Sequence, residues 1–223
     1  MDSAEWIINQ IIEYHGGDFQ GKLIEFDFRD MHYKASFLEQ ANYMTRTSFK
    51  GDSVIVDSTT GENALRTINN LEVELTDKKS KAISNSINSV FYFALLPSKL
   101  DDPAVVAGYK GIVKTKAGDF YQVAVQFKKE GGGEDFQDKF FYWFNAETFQ
   151  LSFLAYSYET SGGGIRFRSV EKQHKLNSGY VFQDYVNYKT DSLATDLQDL
   201  LPLQLDSGLL ELSTIRLENL VVR

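Results

Sequence analysis

The chain has 223 residues, 43% of them hydrophobic and 24% charged, with 31 acidic against 23 basic residues and a formal net charge of −8. That balance is globular and excludes disorder and low complexity, and the negative charge argues against a nonspecific nucleic-acid binder. Cysteine is absent, which excludes disulfide scaffolds, thiolate metal sites and thiol nucleophiles.

The remaining skew, 17 Phe and 12 Tyr against 3 Pro, suits β-sheet wrapped around an apolar interior. The elements, in chain order, agree with this. Residues 1–15 read as a helix: Asp2 or Ser3 caps it, Ile7, Ile8, Ile11 and Ile12 recur at helical spacing, and Gly16-Gly17 stops it. Over 22–75 the period changes to two. Lys22–Arg29, His32–Glu39, Tyr43–Lys50, Ser53–Asp57, Asn63–Ile68 and Leu71–Leu75 alternate between short turn clusters, which is the pattern of an antiparallel meander.

A second helix over 78–97 interrupts the strands. Ser80 or Asp77 caps it, and Ile83, Ile87, Val90, Phe91, Ala94 and Leu95 lie three or four apart before Pro97 and Pro103. Its last turns are apolar on nearly every side and call for deep burial, as a plug over or inside a curved sheet. Strands resume over 109–222: Ile112–Thr115, a run around Tyr121–Phe127, Phe140–Asn145, Phe149–Glu159, Ile165–Leu176, Tyr180–Lys189 and a last strand Ile215–Val222. Phe140-Phe141-Tyr142-Trp143-Phe144 is aromatic at successive positions, so that strand is expected to be covered on both faces. No repeat and no linker divides the chain, which reads as a single domain.

Candidate chemistry is sparse. Glu130-Gly131-Gly132-Gly133-Glu134-Asp135-Phe136 and Ser161-Gly162-Gly163-Gly164-Ile165-Arg166 are the unusual segments. Neither is a phosphate-binding loop, because no Gly-Lys-Ser/Thr follows and neither opens a helix. Hairpin or bulge geometry accounts for both, and a functional role would be to shape one rim of the sheet. The acids Glu130, Glu134, Asp135 and Asp138 do not have the spacing of a calcium loop. His15, His32 and His174 form no metalloprotease pattern; His15 reads as a helix stop, and His32 and His174 as surface residues. Arg166 and Arg168 share a face of their strand and could hold a carboxylate or phosphate, cross-strand pairing to an acid being the ordinary alternative. No cofactor, no metal site and no catalytic residue is expected.

No apolar stretch nears the roughly 18 residues of a spanning helix, and Met1–Glu5 has no basic or apolar leader pattern. Two compartments fit, the cytoplasm and the cell envelope after removal of a signal and addition of a start Met. The segments Tyr14–Gly17, Ser86–Pro97, Leu100–Val105, Glu130–Phe136, Tyr142–Asn145, Leu154–Tyr158 and Gly162–Arg168 resemble a full-length family of Bacteroidota proteins. Its members commonly carry a secretory or lipoprotein signal and have no established activity. The order of helix, meander, helical plug and further strands is similar to that of lipoprotein carriers and lipid-binding lipoproteins of the LolA/LppX type. That resemblance implies an open, curved antiparallel half-barrel with helices on its concave apolar side.

The expected fold is therefore α+β, mainly β: a curved antiparallel half-barrel of about ten or eleven strands with an N-terminal helix and a central plug helix. The expected function is non-catalytic binding of a lipid or other apolar small molecule by a cell-envelope protein, with no nucleic-acid partner. Phe91, Phe93, Tyr142, Phe144, Phe153 and Tyr156 are the expected apolar wall, and Arg166 and Arg168 its polar neighbours. The alternatives are a hydrolase built on His15 and Asp18 with Arg166 as an anion clamp, and a protein-binding module without a cavity.

Overall fold

The computed structural model describes residues 3–38, 42–130, 137–159, 162–190 and 195–223. Helix α1 (Ala4–Tyr14) is followed by β1 (Leu23–Phe28), β2 (Met31–Ser36), β3 (Tyr43–Lys50), β4 (Ser53–Thr59), β5 (Ala64–Ile68) and β6 (Leu71–Val73), and then by helix α2 (Asp77–Ala94). The second strand run comprises β7 (Val105–Thr115), β8 (Gly118–Phe127), β9 (Lys139–Asn145), β10 (Leu151–Tyr158), β11 (Gly164–Lys175) and β12 (Val181–Lys189). A one-turn helix α3 (Leu200–Leu205) and strands β13 (Leu210–Ile215) and β14 (Leu217–Val222) complete the chain. The class is as the sequence reads, mainly β with few helices. The strands among the described residues form two open antiparallel sheets of seven, ordered β14-β1-β2-β3-β4-β5-β6 and β13-β12-β11-β10-β9-β8-β7.

Two compact units carry these sheets. One consists of residues 18–96, 175–182 and 216–223 and holds the first sheet. Its hairpins turn where left-handed backbone is tolerated. The β5–β6 turn uses Asn69 and Asn70 at φ 50 and 65, asparagine being one of the few side chains that accept this region. Its core joins Ile24, Phe26, Tyr33 and Ala35 of the sheet to Ile83, Ile87, Phe91 and Ala94 of α2, with Phe19, Tyr180 and Phe182 stacked beside them.

The cap of α2 is Thr76, whose side chain accepts from the Lys79 amide, rather than Ser80 or Asp77. Ser80 is instead buried one turn into the helix, and its hydroxyl accepts from the Ala64 amide (2.9 Å) and donates to the Ala64 carbonyl (2.7 Å). Ser84 is fully buried and bonds Thr59 and the Gly61 carbonyl. A helix that looks polar at its start thus hydrogen-bonds the β4–β5 turn along its buried face. Replacing Ser80 by Ala removes the side-chain partner of both Ala64 groups. It is expected to cost about 1–3 kcal/mol, read as a lower urea midpoint with an unchanged slope.

The other unit consists of residues 1–17, 97–174 and 183–215 and holds the second sheet. Ser3 caps α1 by accepting from the Trp6 amide, and Ile7, Ile8, Ile11 and Ile12 are buried. The helix stops as the sequence predicts, with Gly16 and Gly17 at φ 101 and 90. It lies along β7 and the 3₁₀ turn Ser98–Asp101. Strand β7 begins earlier than the sequence reads, at Val105, and its pairing with β8 shifts register at a bulge between Tyr109 and Gly111. Phe140 to Phe144 are all buried, so both faces of β9 are covered, as expected. Phe141 and Trp143 pack with Phe120, Ala155, Ile165 and Phe167 under Leu197, Leu200, Leu201 and Leu209. That leucine cover, at the acidic end of the chain, is unforeseen from sequence. The last strand read over Ile215–Val222 is β14, on the first sheet, and a further strand not read from the sequence, β13, precedes it on the second sheet.

Candidate functional site

The helix-bearing face of the first sheet is built of three cross-strand rows. Because side chains alternate faces along a strand, the register fixes which residues share each row. The first row, Ile24, Ala35, Met44, Thr59 and Ala64, is where Ser80 and Ser84 of α2 attach. The second row is Phe26, Tyr33, Arg46, Asp57, Arg66 and Val73. It is an aromatic pair followed by a plus–minus–plus ladder. The third row contains Phe28 and Met31 on β1 and β2, and Ser48, Ile55, Ile68 and Leu71 on β3 to β6. Its apolar members are half-buried apart from Leu71, which is 74% exposed. Six strands span about 24 Å at the usual strand spacing.

The ladder is tightly bonded. Arg66 donates from Nε to one Asp57 oxygen (2.6 Å) and from Nη2 to the other (3.0 Å), while Arg46 donates from Nη2 to the second oxygen (2.7 Å). Arg46 also donates from Nη1 to Ser86 Oγ on α2 (3.0 Å). Asp57 is 1% exposed. Burial pushes its carboxyl up, but the hydrogen bonds and charges of Arg66 and Arg46 together outweigh burial and hold it below the usual carboxylate value. Burial likewise raises the Tyr33 phenol, against the pull of Arg46, which keeps it a neutral hydroxyl. Two guanidinium groups on one carboxylate leave the row with net positive charge beside an apolar strip.

Residues 3–219 match the sequence profile of DUF6503, a family of unknown function. The chain is a DUF6503 protein. No curated protein is similar to it in sequence. Among solved structures, a LolA-superfamily protein from Nitrosomonas europaea superposes on the DUF6503 chain with a TM-score of 0.55 at 10% identity, covering 100% of this chain and 94% of that one. A DUF1329-family protein from Desulfovibrio piger superposes with a TM-score of 0.53 at 10% identity, covering 99% and 93%. The DUF6503 chain therefore has a LolA-like fold.

The residues singled out from the DUF6503 sequence fall on both sheets. Phe91 is 1% exposed and meets Phe26 and Tyr33 edge-on at 5.4 and 5.9 Å, while Phe93 is half-buried. On the second sheet Tyr142 and Phe144 share a face of β9, stacked at 5.8 Å. Tyr156 joins that face by stacking on Phe140 at 5.6 Å. Phe153 points the opposite way, against Phe120 and Phe167 in the leucine-covered core. Arg166 and Arg168 do share a face, and on the β10 side they stand across from Tyr156 and Leu154 rather than an acid. Each guanidinium lies over a tyrosine, Arg166 over Tyr158 at 5.2 Å and Arg168 over Tyr156 at 5.4 Å, and Arg168 donates to the Tyr156 hydroxyl (3.1 Å).

This packing also accounts for a glycine. A Cβ on Gly164 would stand 2.5 Å from the Tyr158 hydroxyl, so the bare backbone makes room for the ring under Arg166. Gly131 to Phe136 and Ser161 lie outside the described residues, and the reading of those loops as a rim goes with them. The Nδ1 atom of His15 is 2.8 Å from the Ile11 carbonyl, which suits its reading as a helix stop. His174 is not a surface residue: its ring is 2.9 Å from the Asp184 carboxylate, at 18% and 6% side-chain exposure. Among the described residues no cluster of His, Cys, Asp or Glu could hold a metal, and no helix is long and apolar enough to cross a membrane.

Proposed function

We propose that the protein is a non-catalytic cell-envelope protein that binds a lipid or other apolar molecule on the helix-bearing faces of its open sheets. The observation that carries this reading is the row of Phe28, Met31, Ile55, Ile68 and Leu71. Soluble domains usually hide such a strip, and an apolar row left partly open beside a helix marks a binding surface. The LolA-superfamily fold supports the same reading. A neighbour among the family's solved relatives in fold does not by itself fix a ligand, so the argument rests on the strip. The sequence-derived wall enters on each sheet separately: Phe91 and Phe93 through α2, and Tyr142, Phe144 and Tyr156 with Arg166 and Arg168 on the second sheet. Phe153, in the leucine-covered core, is left out.

The driving force is burial of alkyl groups, at about 0.8 kcal/mol per CH₂. Titration with the neutral fluorophore N-phenyl-1-naphthylamine is expected to give saturable enhancement, and native mass spectrometry of the purified protein is expected to show an apolar passenger. Ile68→Glu places a charge in the strip at a half-buried position and should weaken the fluorophore by about tenfold or more, some 1.4 kcal/mol. A protein that neither carries an apolar molecule nor takes up the fluorophore overturns the reading.

A further inference from the structure

The arginine ladder is more than the strip needs. An apolar ligand is served by Phe28, Met31, Ile55 and Ile68 alone, whereas a buried charge is costly to maintain. Asp57 is satisfied by Arg66 through two hydrogen bonds that use both of its oxygens. Arg46 is a second cation on the same carboxylate, so the cluster holds one positive charge in excess. No other acid stands in the three rows: the neighbours of the ladder are Tyr33, Met44, Ser48, Ile55, Thr59, Ala64, Ile68 and Val73.

The donors are not used up either. Asp57 takes Nε and Nη2 of Arg66, and Nη1 of Arg66 has no partner among the described residues. The Arg66 side chain is 19% exposed and that of Arg46 14%, against 2% for the carboxylate they share. The carboxylate lies at the bottom and the guanidinium edges reach toward solvent. Arg66 is two residues from Ile68 on β5, and Asp57 two residues from Ile55 on β4, so the ladder lies one row from the apolar strip. A guanidinium with free N–H groups in a partly desolvated place is matched to a planar, bidentate anion.

We propose that Arg66, oriented by Asp57 and backed by Arg46, seats the anionic head of a single-chain amphiphile of the fatty-carboxylate class, whose tail lies along the strip. This assignment rests on the apolar-ligand reading and adds the chemistry of the head to it. Asp57 is a positioning residue here: it fixes the Arg66 fork and leaves Nη1 directed outward.

The test is displacement of N-phenyl-1-naphthylamine from the purified protein at pH 7.5 by dodecanoate and by dodecan-1-ol, which share a tail and differ in the head. Dodecanoate is expected to displace the fluorophore at a concentration lower by about tenfold or more. That preference should shrink when sodium chloride is raised, while dodecan-1-ol shows no such loss. In Arg66→Gln, which leaves Asp57 paired with Arg46 and the cluster neutral, the two should displace at similar concentrations. Circular dichroism melting shows whether this variant is folded; if it is not, the salt dependence of the wild-type preference decides. Equal displacement by both compounds in the wild-type protein overturns the head-group assignment and leaves apolar binding standing. A preference that survives unchanged in folded Arg66→Gln overturns the role of Arg66. Failure of the fluorophore to bind at all overturns both readings.

Discussion

Replacing Asp57 by Ala is expected to destabilise the protein by about 3–5 kcal/mol, because it leaves two partly buried guanidinium groups facing each other without a counter-charge. The Arg46 and Arg66 side chains are only 14% and 19% exposed, so water cannot fully take the place of the carboxylate. Urea unfolding measures the loss. The triple variant that adds Arg46→Met and Arg66→Met to Asp57→Ala should recover much of it, since an apolar replacement of a whole buried ion cluster is often neutral or better. The pH dependence follows from the depressed carboxyl. Its folded value lies below its ordinary value of about 3.8, so its contribution is fully present above that value and is lost as the pH falls through the depressed one. Wild-type stability should therefore drop below about pH 4, and the contribution of Asp57 to that slope should vanish in Asp57→Asn. An unchanged acid slope in Asp57→Asn would show that the ladder is not held by charge.

Truncating Trp143 to Ala should cost about 3–5 kcal/mol. The side chain is fully buried, 4.8 Å from the Phe141 ring and 5.7 Å from Phe167, so the space it leaves is walled by rings that cannot collapse into it. Trp143→Phe separates volume from polarity. The indole Nε1 is buried with no hydrogen-bond partner among the described residues, and a donor left unmade costs about 1–3 kcal/mol. The phenylalanine variant gives up some contact but also removes that donor, and its loss should be less than half that of the alanine variant in the same unfolding measurement. Equal losses would mean that the indole nitrogen is already solvated in the native protein.

The meander was readable because its short strands are separated by turn clusters: β3 is Tyr43–Lys50 from either direction, bounded by the Gly51-Asp52 turn. The class and the two main helices follow from the same physics. The cover over Trp143 was harder to see. Leu197, Leu200, Leu201 and Leu205 do recur at helical spacing, but they form a 3₁₀ turn and a single helical turn, too short for periodicity to stand above the surrounding acids. Strand β13 was missed because Leu210–Ile215 has no buried residue, so no buried face marks it in the sequence. The arginine ladder was latent. Lys50 pairs with Ser53 across the Gly51-Asp52 turn, and counting outward puts Arg46 opposite Asp57. A second hairpin then brings Arg66 to the other side. Residues scattered along the chain become a cluster only once register is known, whereas the many Phe and Tyr stand out from composition alone.

The pairing of β14 with β1 sets Val222 beside Ile24, so the oldest strand of the first sheet waits for the youngest. At a synthesis rate of about 5–20 residues per second, β1 spends on the order of ten seconds or more with one ladder edge open before β14 is made. An open edge of this kind is a template for pairing with other chains, and so long-range a contact forms slowly. The first sheet is therefore complete only once residues 217–222 have been made.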